Sequence, residues 1–407
     1  MKRLFRIGFS TFIQSIIPIL SWFLLGLTLD ASLVNIFSIT YPMQFIASII
    51  KEIFGTGANI KQEKENNKNA VSSGIILGIV VGGIVFALFC IFSEQYLTFM
   101  SMDIATYKIF TIYSFLQIYI SMVFQIIIEK FYFEDKDKKA LIYTIIFNIL
   151  NLVSLIGVSL ITKRQLIVAI TTLCILATFT LVLFALNIGK FKLDFNILTN
   201  IKYESDGIVA YIFMFVSYFF GYSTIFSFGA EYITAINFIS LISDPQWDAY
   251  ESMTIVAKID IVHNNYNIKR HLKNGLIYAS TLVLSVIILF FSLFNFYDVN
   301  FKIGLYFLLF QLTDLFICLP CYIVAPYIQL QHSYIKNTTN DIICYITRAL
   351  LSVFLPTPYC CDIGQLSVSV ISIIFYIIIF AKYYKINKDG TIEDKPRKIN
   401  DQNKSNN

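Results

Sequence analysis

Long runs of apolar residues, separated by short polar intervals, fill most of this chain. Each run is about 17 to 25 residues long, which at about 1.5 Å per helical residue matches the roughly 30 Å hydrocarbon core of a bilayer. The runs are placed near residues 7–28, 33–54, 70–92, 105–128, 140–161, 166–188, 207–229, 232–257, 275–296, 300–324, 340–355 and 365–383. The pattern predicts an all-α membrane protein with about twelve transmembrane helices.

A polar interval at residues 189–206 divides these runs into two groups of six. Each group has a basic loop between its second and third run, and aligning Lys68 with Lys269 also aligns Gly74 with Gly275, an offset of 201 residues. Internal repeats of this kind are typical of secondary transporters. We therefore predict two pseudo-symmetric six-helix lobes, at residues 1–188 and 207–385. A cytoplasmic linker at residues 189–206 joins them, and a disordered cytoplasmic tail follows at residues 386–407.

Composition and charge support this topology and add an orientation. The chain is 57% apolar and 14% charged, with a mean hydropathy of +0.70. With the N-terminus inside, 26 of the 31 basic residues fall in cytoplasmic segments, which is where Lys and Arg collect in membrane proteins. We predict a multi-pass protein of the cytoplasmic cell membrane with both termini inside. The net charge of +5 follows from this topology, so the bilayer is the expected partner and nucleic acid is not.

Motifs for catalysis or nucleotide binding are not found in the sequence. There is no P-loop and no HExxH, and the three histidines fall in predicted loops. We predict that the protein is not an enzyme and needs no cofactor. Without a P-loop, transport would draw its energy from an ion gradient.

The eighth run carries three acidic residues inside the expected membrane span. Asp244, Asp248 and Glu251 are spaced i, i+4 and i+7, so on a helix they share one face. A charged carboxylate at membrane depth costs about 2.5 to 3.5 kcal/mol unless it faces water, a partner or an ion. We therefore expect these acids to line an interior cavity for a coupling cation or a substrate.

Aromatic residues and a proline accompany these acids. Trp247 and Tyr250 offer ring faces suited to organic cations. Pro245 removes a backbone hydrogen bond, so we expect it to break or kink the helix, and Pro18 to bend the first one.

A second candidate acid, Asp314, lies in the middle of the tenth run beside Gln311. Arg348 in the eleventh run requires an acidic partner and is expected to pair with Asp314 or Asp248, or instead to select anionic substrates. Asn151 in the fifth run either lines a cavity of the first lobe or forms hydrogen bonds between helices.

The arrangement of the early spans resembles the multidrug and toxic compound extrusion (MATE) family of transporters. The resemblance rests on Pro18 in the first run, Pro42 in the second, the Gly-rich segment Gly55–Asn59, and Asn66–Ala70 at the start of the third run. It implies a two-lobe transporter in which an acid of the tenth span coordinates a coupling cation, and Asp314 matches that position. With Asp248 and Glu251 it would form an oxygen-rich site for Na⁺ or a cluster that shares a proton.

These observations predict an antiporter that couples Na⁺ or H⁺ entry to export of small organic, drug-like molecules. An alternative within the same superfamily is a flippase of a lipid-linked oligosaccharide or other lipid-linked precursor, which would require basic residues in the cavity. A channel or a membrane assembly protein is the alternative from another class.

Overall fold

Fifteen α-helices and one β-hairpin form the part of the chain that the structure describes. The computed structural model describes residues 2–30, 33, 35–99, 102–188, 193–194, 196, 201–226, 228–296, 299–332 and 334–394. The helices are α1 (Lys2–Thr28), α2 (Asn35–Lys51), α3 (Gly57–Glu65), α4 (Ala70–Ile91), α5 (Ser93–Phe99), α6 (Ile104–Phe133), α7 (Asp137–Thr162), α8 (Gln165–Asn187), α9 (Ile201–Phe226), α10 (Ala230–Val262), α11 (Ile268–Leu293), α12 (Phe301–Ile317), α13 (Leu319–Tyr327), α14 (Tyr334–Phe354) and α15 (Cys360–Tyr383). The strands are β1 (Tyr384–Ile386) and β2 (Ile392–Asp394).

Twelve spans in two lobes account for these helices, as the hydrophobic pattern predicts. Within the described ranges, eight segments are long and apolar enough to cross a membrane, namely α1, α4, α6, α7, α8, α11, the continuous stretch Phe301–Gln331 and α15. The other four spans, α2, α9, α10 and α14, are shorter or more polar. They pack at the centre, where α9 contacts α2 and α14, and α10 contacts α1. Because their neighbours are largely protein, they require less apolar surface.

One apolar core is shared by the two lobes, and each lobe also has an apolar core of its own. One apolar core joins Ile7 of α1 to Tyr278 of α11, and thus the first lobe to the second. Ile7 and Tyr278 lie near the end where the chain begins and where the basic loops gather, which we call the basic end. At the opposite end, the far end, the first lobe has its own core around Trp22 and Phe110, and the second lobe has another around Phe290.

The regular α-helical pattern is interrupted at positions other than Pro18 and Pro245. α10 continues through Pro245, so the break that was one of the two expectations there is absent, and α1 continues through Pro18, while a bend at either proline stays a prediction. Neighbouring helices hold both segments, which makes the loss of one backbone hydrogen bond tolerable. The helical pattern instead widens to π-helix at Glu52–Thr56 and at Ile328–His332, and α12 ends at a bend at Cys318.

The predicted linker and tail are partly ordered. α9 begins at Ile201, within the interval 189–206. The prediction of a disordered tail from residue 386 is wrong for its first part, because β1 and β2 pair as an antiparallel hairpin. Gly390, at φ +90°, forms its turn, and its carbonyl accepts a 3.1 Å hydrogen bond from Ile268 N at the start of α11. Residues 395–407 of the predicted tail lie outside the described residues.

Close helix packing in the first lobe depends on Gly74. A Cβ at this position would lie 2.3 Å from the carbonyl oxygen of Phe54 and 2.7 Å from the Cβ of Ala58. We expect Gly74→Ala to destabilise the protein by about 1 to 3 kcal/mol, because the backbone must shift. The matched control is Gly157→Ala in α7, where nothing lies within 4 Å of the added carbon. Equal melting temperatures of the two purified variants in detergent would contradict this packing.

Candidate functional site

A cavity of about 430 Å³ lies between the two lobes. Its wall is formed by α1, α2 and α6 of the first lobe and by α9, α10, α13, α14 and α15 of the second, with one residue from α12. Its charged residues are Lys51, Glu52, Asp244, Asp248, Glu251, Lys258, Asp341, Arg348 and Asp362. Six are therefore acidic and three are basic. The volume is that of a small-molecule site.

The three acids of α10 lie on the cavity wall, as their shared helical face requires. Glu251 accepts a 2.9 Å hydrogen bond from the Tyr211 hydroxyl of α9, and its Oε1 lies 3.9 Å from Lys51 Nζ of α2. Asp248 and Asp244 belong to the same wall, about one and two helical turns from Glu251. The row therefore faces the first lobe across the interface.

The two aromatic candidates of α10 have different positions. Trp247 lines the cavity, and its Nε1 donates a 2.6 Å hydrogen bond to Gln311 Oε1. Gln311, also on the wall, donates from Nε2 to Asp362 Oδ1 at 2.7 Å. Tyr250 is fully buried behind the wall, where its hydroxyl donates to the Leu315 carbonyl at 2.5 Å. The structure thus assigns Tyr250 to packing of α10 against α12.

Two further acids lie in the second lobe on α12 and α15. Asp314 is 2% exposed and lies just behind the wall, facing Ser369 and Gln365 without a hydrogen bond of normal geometry to either carboxylate oxygen. Asp362 is 6% exposed, and its Oδ2 also has no hydrogen-bond partner among the described residues. Sequence reasoning missed Asp362, because it falls between two predicted spans. One indication of it was available in the sequence, since an acid directly before a predicted span can face the membrane interior.

The structure does not combine Asp248, Glu251 and Asp314 into one cation site. Among the residues that the structure describes, no group of three or more His, Cys, Asp or Glu side chains is arranged to hold a metal ion. The reason is geometric, since Asp248 and Glu251 face the first lobe, whereas Asp314 faces α15. Asn151 is also away from the cavity, 1% exposed inside the first lobe, where it lies 3.5 Å from the Tyr113 hydroxyl.

Arg348 of α14 does not form the ion pair expected from the sequence. Within the described part of the chain, no carboxylate oxygen lies within 4.0 Å of its guanidinium nitrogens, so it is paired with neither Asp314 nor Asp248. The side chain is 2% exposed and its guanidinium carbon lies 5.3 Å from the centre of the Tyr218 ring. It lines the cavity on the second-lobe side.

Buried ion pairs close the cavity toward the basic end. Lys258 Nζ of α10 lies 2.5 Å from Glu204 Oε2 of α9 and 3.8 Å from Glu52 Oε2 of the first lobe. Lys51 Nζ in turn lies 3.3 Å from Glu52 Oε1. The side chains of Glu52, Glu204 and Lys258 are each less than 10% exposed. We call these four residues the basic-end network, and sequence reasoning did not find it.

A second layer of contacts between the lobes lies beyond this network, outside the predicted spans. Glu65 Oε1 of α3 accepts hydrogen bonds of 2.8 Å from Lys202 Nζ and from the Tyr203 hydroxyl. The hydrogen bond from Lys202 is the main cause of the lowered pKa of Glu65. This contact is therefore intact above the ordinary pKa of glutamate and is lost as the pH falls through the lowered value. Lys64 Nζ also donates to the Leu330 carbonyl across the lobes.

The sequence and the structure were compared with those of known proteins. No family model matches the sequence, and neither does any curated protein. Solved structures do match. An outward-facing multidrug resistance MATE family transporter of the MOP superfamily is 14% identical, covers 93% of this chain and 96% of its own, and has a TM-score of 0.72. A MOP superfamily transporter from Pyrococcus furiosus, for which the reverse polarity of the binding pocket suggests a different function, is also 14% identical. The match covers 93% of this chain and 96% of that chain, with a TM-score of 0.71.

A MATE transporter in its bent conformation is 15% identical, with 93% of this chain and 95% of that chain covered and a TM-score of 0.69. The matches extend over both lobes, so they describe the whole bundle and not one repeat. The chain therefore has the fold of the MATE transporters.

Proposed function

We propose that this protein is a cation-coupled antiporter of the cytoplasmic membrane that exports small organic cations. The observation that carries the proposal is the charge of the cavity wall, where six acidic residues stand against three basic ones. Two of the three basic residues, Lys51 and Lys258, already have glutamate partners at 3.3 and 2.5 Å. The remaining acids leave a negative cavity, which attracts a positively charged substrate.

Aromatic rings on the same wall support an organic rather than an inorganic cargo. Trp22, Phe45, Tyr211, Tyr218 and Trp247 line the cavity from both lobes. Phe45 and Tyr218 stack across the interface with ring centres 5.4 Å apart. Ring faces attract alkylammonium and aromatic cations, and this attraction strengthens when the site is desolvated.

The closed basic end supports alternating access. If the basic loops are cytoplasmic, as the distribution of Lys and Arg indicates, this conformation is closed toward the cytoplasm. Rocking of the lobes would then break the basic-end network and form new contacts at the far end. A continuous channel fits this arrangement less well, because it requires no seal between the lobes.

We assign the coupling cation to the acids of the second lobe. Asp314 and Asp362 have buried carboxylate oxygens without hydrogen-bond partners among the described residues. A buried carboxylate of this kind is stabilised by binding H⁺ or a small cation. Because Asp362 is linked through Gln311 to Trp247, a change in its charge is transmitted to the substrate cavity. The lipid-linked flippase would require a basic cavity, so the acidic wall favours the antiporter.

We expect an imposed Na⁺ or H⁺ gradient to drive ethidium efflux from proteoliposomes that contain the native protein. Asp248→Asn, Glu251→Gln and Asp314→Asn should each slow this efflux by about tenfold or more, since a lost charge contact of about 1.4 kcal/mol is a factor of ten. Glu94→Gln is the control, because this acid is half exposed in a surface pair with Lys108.

If all four variants and the native protein show the same efflux, these acids are not the transport site, although the protein still transports. Absence of efflux under both gradients would reject organic-cation export and favour the lipid-linked flippase.

A further inference from the structure

Arg348 is a buried cation that no carboxylate contacts directly among the described residues, although the buried acids Asp314 and Asp362 lie within electrostatic range of it. Its Nε and Nη1 have no hydrogen-bond partner among the described residues, although the side chain is 2% exposed. A guanidinium ion removed from water in this way is strongly destabilised unless an anion compensates it. The other two basic residues of the wall are neutralised by glutamates, so Arg348 differs from them in kind.

Close packing holds Arg348 in place on the wall. A Cβ added to Gly364 of α15 would lie 3.0 Å from the carbonyl oxygen of Arg348 and 3.3 Å from its Cγ. The absence of a side chain at residue 364 therefore lets α14 approach α15 closely. On its other side, the guanidinium group lies against the Tyr218 ring. A side chain held between a helix and a ring is preorganised, so it loses little entropy when it binds a ligand.

The acidic row of α10 belongs to the same cavity. Tyr218, which contacts Arg348, is also within electrostatic range of Asp244. The wall thus presents a cation-binding side, formed by Asp244 and Asp248, and one unpaired guanidinium group. Guanidinium binds a carboxylate through two parallel N–H···O hydrogen bonds, a geometry that a lysine ammonium does not offer.

We infer that Arg348 is an anion subsite and that the substrates are amphoteric aromatic molecules, with a carboxylate bound at Arg348 and an ammonium group at the acids of α10. This inference rests on the proposed export function and makes its substrate class more specific. It explains why a predominantly acidic cavity retains one unpaired arginine.

Tryptophan fluorescence offers a direct binding test, because the two tryptophans of the chain, Trp22 and Trp247, both line the cavity. Purified protein in detergent would be titrated with L-phenylalanine, which carries both charges, and with L-phenylalanine methyl ester, which has nearly the same size and only the ammonium. We expect the native protein to bind the amino acid at least about tenfold more tightly, because charge-assisted hydrogen bonds are roughly twice as strong as neutral ones.

Arg348→Gln should abolish this preference and leave the dissociation constant of the ester within about twofold of the native value. Arg348→Lys should restore part of the preference, and the surface variant Lys108→Gln should leave it unchanged. Equal binding of both compounds by the native protein, or an equal loss of both in Arg348→Gln, would overturn the inference. Ethidium efflux by the native protein judges the export function separately, so the two failures are distinguishable.

Discussion

Lys258→Met is expected to destabilise the protein by about 3 to 5 kcal/mol, the usual effect of breaking a buried ion pair by removing one partner. The lysine lies 2.5 Å from Glu204, whose side chain is fully buried, and 3.8 Å from Glu52. Without it, the fully buried Glu204 loses the lysine that pairs with it, and Glu52 keeps only Lys51. Thermal unfolding of the purified protein in detergent should show a melting temperature lower by roughly 5 to 10 °C.

Two matched variants separate the ion pair from the lysine itself. Adding Glu204→Gln to Lys258→Met should recover most of the lost stability, because the buried charge is removed along with its partner. Lys108→Met breaks a surface pair with Glu94 at 2.5 Å, where the side chains are 44% and 51% exposed, and should change stability by less than about 1 kcal/mol. If Lys258→Met has the same melting temperature as the native protein, the basic-end network does not stabilise this conformation.

The fold was predictable because a bilayer restricts the chain more than water does. Backbone groups in hydrocarbon must be satisfied within the segment, so a run of about 20 apolar residues has to be a helix, and its length identifies it. The central spans α2, α9, α10 and α14 were predictable with less support from hydropathy. They carry polar residues of the cavity wall, which lowers the mean hydropathy of their sequences.

The site was predictable only where a single helix encodes it. Spacing alone places Asp244, Asp248 and Glu251 on one face, because all three belong to α10. The partners of Lys258 and Gln311 come from other helices, 54 and 51 residues away, and no spacing rule reaches them. The expected pairing of Arg348 was wrong for the same reason, since it depends on how α14 packs against α12 and α15.

The prediction of a disordered tail failed because contacts with distant residues order its first part. The tail beyond Ile386 reads as polar and disordered, yet its hairpin is held by a turn at Gly390 and by hydrogen bonds to the start of α11. Tyr384, 4% exposed, is part of the small core around Ile268, and Ile392 of the tail packs against the same core. A charged sequence is therefore ordered when a neighbouring element completes its hydrogen bonds.

A disulfide between Glu52→Cys and Gly207→Cys is expected to lock the basic end closed and to stop transport. An added Cβ on Gly207 of α9 would lie 3.6 Å from Cγ of Glu52 in the first lobe, with only Glu52 atoms within 4 Å. A cysteine sulfur at the Cγ position therefore lies close to the Cβ of residue 207, as a disulfide between the two residues requires. Because the bond joins the lobes at the closed end, it forbids the rocking that opens the cavity to the other side.

The measurement is ethidium efflux from proteoliposomes of the double variant, oxidised and then reduced in the same preparation. Efflux should fall to the level of empty liposomes after oxidation and recover after reduction. Each single variant should be insensitive to the oxidant, which excludes an effect of the seven native cysteines. Full activity with the disulfide formed would mean that the lobes do not separate at the basic end, and would reject alternating access by rocking.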